Sequence, residues 1–190
     1  MKGNDLATFR IAPGEAAVLE IDMQERLTAV MDPGWYRAVE DNVLRVLRAA
    51  EVFWMPVLAT EQYPKGLGPT NPRVAGALEG VEMPEKLSFS CCGEPRFLEL
   101  LEEAGRKKIV VVGMETQVCV YQTVLDLLEK GYAVFVPRDA VISRTRENWE
   151  VGLALMREAG AIITSTETLL FQLLQKAGTP EFKALQPLFK

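Results

Sequence analysis

KIVVVGMETQVCVYQTVLDLLEKGYAVFV, residues 108–136, decides the fold. Ile109 to Val112 are four β-branched residues in a row. Such side chains favour extended backbone, and a short apolar run without alternation reads as a strand buried on both faces. Residues 117–130 then change period. Val118, Tyr121, Leu125 and Leu128 recur at steps of three and four, the pattern of a helix with one buried stripe, and Gly131 is its stop signal. Residues 133–136 return to strand. Strand, helix and strand in that order make a parallel crossover unit.

The same alternation extends in both directions. Upstream, AAVLEI (16–21) is a strand that ends at Asp22, and 34–51 is a helix facing inward with Tyr36, Val39, Val43, Val46, Leu47 and Ala50. Residues 54–60 read as the next strand, with Pro56 making its start irregular. The Gly- and Pro-rich stretch 63–72 is a loop, 70–78 carries a short helix, and 94–104 a longer one ended by Gly105. Downstream, 145–159 is a helix, 161–164 a strand, and 166–174 and 180–189 are helices. No linker, repeat or low-complexity tract interrupts the 190 residues. The expectation is one α/β domain over 1–190: a Rossmann-like three-layer sandwich with a central, mostly parallel sheet between helices.

In such folds the active site lies past the carboxyl ends of the strands. That rule points to Asp22, Glu61–Gln62, Gly113–Met114–Glu115 and Arg138–Asp139 as residues gathered along one edge. The bulk composition narrows the chemistry. A net charge of −5 gives no reason to expect nucleic acid or an anionic membrane as partner. No apolar run is long enough to span a bilayer, and the N-terminus lacks the apolar centre of a signal peptide, so a cytoplasmic protein is expected. Three cysteines, two of them adjacent at Cys91 and Cys92, make no disulfide framework and read as free thiols. The chain has no histidine. That excludes Ser-His-Asp triads, Cys-His pairs and histidine zinc sites. Nucleotide-binding and serine-hydrolase motifs are also missing from the sequence.

Cys119 opens the helix after the central strand. Free N–H groups and the dipole at a helix start lower a thiol pKa and can hold an oxyanion. A small buried apolar cysteine fits the same position. Asp22 caps a helix on one reading, and on another is a general base for the thiol. Lys86, in PEKLSFSCCG, is either a surface charge or the cation that holds Asp22 ionised. Glu61 faces substrate or solvent. Cys91 and Cys92 read as small buried residues.

AVLEIDMQ (17–24), TEQYPKGLGPT (60–70), EKLSFS (85–90), the stretch from Val110 to Arg144, and PEFKALQPL (180–188) together resemble the isochorismatase-like cysteine hydrolases. The similarity is closest to the subgroup of isochorismatase domain-containing proteins and runs from about residue 13 onward. It implies a catalytic triad of Asp22, Lys86 and Cys119. It also implies a cis Met114–Glu115 peptide and an oxyanion hole of the Glu115 and Cys119 N–H groups. Nicotinamidase relatives hold a metal with an aspartate and histidines after the second strand; Thr60-Glu61-Gln62-Tyr63 stands there instead, so no metal and no cofactor are expected. The implied activity is hydrolysis of a small-molecule C–N bond through a thioester, in a homo-oligomer between dimer and octamer. Substrate contacts are expected from Gln24, Glu61, Gln62, Tyr63 and Phe89. The alternatives are a non-catalytic binding or scaffold protein of the same fold, and a thiol redox protein.

Overall fold

The computed structural model describes residues 6–189; the MKGND start and Lys190 lie outside the described residues. Seven strands form one sheet: β1 (Ala16–Ile21), β2 (Val57–Gln62), β3 (Glu85–Lys86), β4 (Lys108–Met114), β5 (Ala133–Pro137), β6 (Val141–Ile142) and β7 (Ile162–Thr164). Their order is β3-β2-β1-β4-β5-β7, with β6 paired to the end of β4. Every strand pairing is parallel. The predicted parallel α/β sandwich is the observed architecture.

The helices are α1 (Glu25–Thr28), α2 (Pro33–Phe53), α3 (Pro64–Leu67), α4 (Pro72–Ala77), α5 (Pro95–Ala104), α6 (Tyr121–Glu129), α7 (Arg146–Ala159), α8 (Thr166–Leu174) and α9 (Pro180–Leu185). Side chains of a strand alternate between faces, so each central strand feeds two cores. Val18, Val110, Val112 and Phe135 pack with Val39, Val43 and Val46 of α2 and Leu169, Leu170 and Leu173 of α8. Leu19, Ile21, Ile109 and Val111 pack on the other face with Phe97 of α5, Val124 and Leu127 of α6, and Leu153 and Met156 of α7.

Three local expectations shift. Trp54 does not begin β2: it ends α2 in the left-handed region (φ 55°) and is 91% exposed. The strand starts only after Pro56, whose missing N–H cannot join a ladder. β3 escaped notice because two charged residues carry no apolar pattern; only its pairing with Glu61 and Gln62 makes it a strand. The buried stripe of the cysteine helix is Val120, Thr123, Val124 and Leu127, one residue away from the predicted register. Thr116–Val120 is a wide π-type turn that adds a residue before α6 and resets the phase. Val118, Tyr121, Leu125 and Leu128 are half-buried instead.

Two close approaches position the cysteine turn. Gly113 ends the run of valines at φ 114°, and a Cβ there would stand 2.2 Å from the Ile21 carbonyl oxygen. Only glycine lets β4 lie that near the end of β1, beside Asp22. Gly152 on α7 would place a Cβ 3.0 Å from the Thr116 carbonyl oxygen and 3.1 Å from the Gln117 backbone. Its bare backbone lets α7 brace the turn from outside.

Candidate active site

Asp22 leaves β1 in the left-handed region (φ 54°) and is fully buried. Both carboxylate oxygens have partners. Oδ2 accepts from Lys86 Nζ at 2.6 Å and Oδ1 accepts from the Thr60 hydroxyl at 2.9 Å. Lys86 is 1% exposed, on β3, two strands from Asp22. Its ammonium also donates to Gln62 Oε1 at 2.8 Å and to the Phe89 carbonyl at 3.0 Å, with the Ser88 carbonyl at 3.4 Å. An ammonium has three protons, and three close acceptors engage all of them. Lys86 is therefore a fixed cation with no proton free for a substrate.

Cys119 lies in the wide turn, 6% exposed, in electrostatic reach of Asp22 and Lys86. Val118 N–H and Val120 N–H, on either side of it, both donate to the Glu115 carbonyl at 3.0 and 3.2 Å. The Met114–Glu115 peptide is cis. The Glu115 carboxylate is held from outside by the Arg144 N–H and Nε at 3.1 and 3.0 Å.

Burial dominates the electrostatics. It pushes the Asp22 carboxyl above the ordinary carboxylate range against the pull of Lys86, Cys119 and Thr60. Burial is the largest single influence on the Lys86 ammonium and pulls it down, but the Asp22 charge together with Cys91 and Cys119 reverses it, and the net shift is upward. Burial and then the Asp22 charge raise the Cys119 thiol well above its ordinary value, and Lys86 does not reverse this. A helix start lowers a thiol pKa, but here desolvation wins because the sulfur is nearly out of water. Geometry pairs the Asp22 carboxylate with the Lys86 ammonium at 2.6 Å, and burial favours the protonated form of the Cys119 thiol beside them.

Other predicted residues divide. Gln24 is fully buried, with Nε2 donating to the Gln62 and Gly68 carbonyls at 3.0 and 2.7 Å and Oε1 accepting from Gln62 N–H at 2.7 Å. It clamps the end of β2 rather than facing a ligand. The Glu61 carboxylate is taken by the Thr70 N–H and hydroxyl at 2.6 and 2.7 Å. Tyr63 and Phe89 are half exposed and tied to Lys86 through backbone: Tyr63 N–H donates to the Lys86 carbonyl at 3.0 Å. Gln62, expected to face substrate, holds the Lys86 ammonium instead. Arg138 and Asp139 do not join the Asp22–Lys86 network: Arg138 lies 4.6 Å over the Trp149 ring and Asp139 accepts from the Thr166 N–H and hydroxyl. Thr60 went unrecognised as a partner of Asp22, because only strand register brings it beside Ile21. Among the described residues no group of three or more Cys, Asp or Glu is placed to hold a metal ion.

A parallel sheet of this order, with an aspartate, a lysine and a cysteine gathered past its carboxyl edge, defines an isochorismatase-like α/β domain. The chain belongs to that family: the Isochorismatase domain model matches residues 16–168. It is 36% identical over 184 residues to isochorismatase domain-containing protein 2 of Bos taurus, covering 97% of this chain and 87% of that protein. Among solved structures it is similar to the MAR1 ribonuclease of Caenorhabditis elegans, with TM-score 0.87 and 35% identity over 94% of this chain and 91% of that one. The YcaC gene product of Escherichia coli, described as an octameric hydrolase of unknown specificity, shares the fold with TM-score 0.87 at 24% identity, over 95% and 89% of the two chains.

Proposed function

We propose that the protein is a cysteine hydrolase that cleaves an amide-type C–N bond in a small molecule through a Cys119 thioester. The observation that carries this reading is the saturated Lys86 ammonium against Asp22. It opposes the burial that raises the Asp22 carboxyl, and so favours an ionised base next to a thiol whose protonated form burial favours. A base and a proton to be taken stand side by side, which is the arrangement nucleophilic catalysis needs.

Asp22 takes the Cys119 proton, and Sγ bonds to the substrate carbonyl carbon. The oxyanion rests on the Glu115 and Cys119 N–H groups. The C–N bond breaks as Asp22 gives its proton to the leaving nitrogen, and an acyl thioester remains. Water then attacks the thioester carbonyl, losing a proton to Asp22, and the C–S bond breaks as that proton returns to Cys119. Lys86 stays charged throughout. Tyr63 and Phe89, half exposed and tied to Lys86 through backbone, are the residues we read as substrate contacts. Every step uses groups of this chain, without metal or cofactor.

The redox alternative fits less well, since peroxide-sensing cysteines combine low pKa with exposure and Cys119 has neither. We also read the protein as a cytoplasmic homo-oligomer that does not act on RNA, although one similar structure is described as a ribonuclease. The test is a panel of small amides, ureido compounds, esters and a structured RNA, offered to wild type and Cys119→Ala in parallel. Turnover of an amide or ureido compound by wild type alone is expected. RNA cleavage that survives Cys119→Ala would overturn the reading.

A further inference from the structure

Thr60 has one hydroxyl proton and two polar neighbours. The hydroxyl donates to Asp22 Oδ1 at 2.9 Å, and Cys91 Sγ lies 3.4 Å from the same oxygen. An ionised carboxylate has no proton to give, so the Thr60 proton goes to Asp22. The thiol of Cys91 is then the donor to Thr60. Burial raises this thiol to about 12, so its proton is present at neutral pH. The Cys91 backbone N–H is fixed in turn by the Thr123 hydroxyl at 2.9 Å. Thr60, Cys91 and Thr123 are all fully buried.

We propose that Cys91 and Thr60 form a positioning relay, Cys91 S–H to Thr60 O–H to Asp22 Oδ1, which stabilises the ionised carboxylate and so tunes how strongly it takes the Cys119 proton. The relay rests on the reading of Asp22 as base. Thr60 bonds the Asp22 carboxylate and Cys91 bonds Thr60, so both act through Asp22. Lys86 holds Oδ2 from the opposite side, so the two carboxylate oxygens are distinguished: one faces a cation, the other a chain of neutral donors. The remaining groups that act on Asp22 are Cys119 from the turn after β4 and Glu20 from its own strand. Removing a donor from a carboxylate raises its proton affinity. The relay thus keeps Asp22 available as a base at lower pH than burial alone allows.

The test needs no substrate. Alkylation of Cys119 by iodoacetamide, followed by mass spectrometry between pH 4 and pH 8, reads the ionisation of the base. Wild type is expected to show an acidic limb that Asp22→Asn removes. Thr60→Val should move the limb upward by about one pH unit, the scale of one hydrogen bond to a charged group. Thr60→Ser should keep it in place. Cys91→Ala should give a smaller shift of the same sign, Cys91→Ser none, and Cys91→Ala on top of Thr60→Val nothing more, because its effect runs through Thr60. If Thr60→Val does not fold, the comparison of Cys91→Ala with Cys91→Ser decides. A limb lost in Asp22→Asn but unmoved by Thr60→Val and Cys91→Ala overturns the relay alone. A limb absent from wild type, or retained in Asp22→Asn, overturns the base reading as well.

Discussion

Lys86 Nζ lies 2.6 Å from Asp22 Oδ2, with both side chains fully buried and 64 residues apart in the chain. The pair reaches across the end of β2, because β3 and β1 flank that strand. Lys86→Met leaves the Asp22 charge without its cation, and loss of one partner of a buried pair costs about 3–5 kcal/mol. Urea unfolding of Lys86→Met, Asp22→Asn and the double variant measures this. The double variant is expected to lose clearly less than the sum of the singles; strict additivity would show that the pair is uncoupled.

Cys119→Ala removes the sulfur and little packing. Turnover of any substrate found for wild type should fall to background, while circular dichroism stays unchanged and the unfolding midpoint moves by no more than a few degrees.

Glu20 gives the fold a pH dependence of its own, set mainly by burial. It is fully buried on β1, with Oε1 accepting from Met23 N–H at 3.0 Å and Oε2 without a partner among the described residues. Burial raises its pKa from 4.5 to about 8. The folded state keeps this proton while the unfolded chain releases it above pH 4.5. The stabilisation is therefore complete below that pH and is lost as pH rises towards 8. Glu20→Gln keeps the acceptor for Met23 and removes the titration. Its stability relative to wild type, read from urea midpoints at pH 5, 6.5 and 8, should climb with pH. A constant difference would contradict the assignment.

Gly113→Ala and Gly152→Ala separate folding from positioning. At Gly113 the added carbon meets the Ile21 backbone and the positive φ adds strain, so loss of soluble folded protein is expected. At Gly152 the contacts are 3.0–3.1 Å. Small overpacking of this kind costs about 1–3 kcal/mol. It falls on the Thr116–Gln117 backbone, so kcat should drop more than KM rises, measured on an active amide.

Much of the fold was legible because the central strands are continuous apolar runs and the helices carry a 3.6-residue period with marked ends. α8 and the end of α5 fall where the pattern put them. β3 and the phase of the cysteine helix did not, since a two-residue charged strand has no pattern and a wide turn changes register without changing composition.

Of the site, the sequence by itself excluded histidine chemistry and, through its resemblance, named Asp22, Lys86 and Cys119. It could rank neither Gln24 nor Glu61, whose polar groups the fold turns inward onto backbone and Thr70. Tertiary structure alone decided that Lys86 is saturated, that Cys119 is nearly out of water, and that Thr60 and Cys91 stand behind Asp22. The reason is that these properties belong to desolvation and to pairings between strands. Residue order sets which groups exist; only the folded sheet sets how far each is from water and from the next charge.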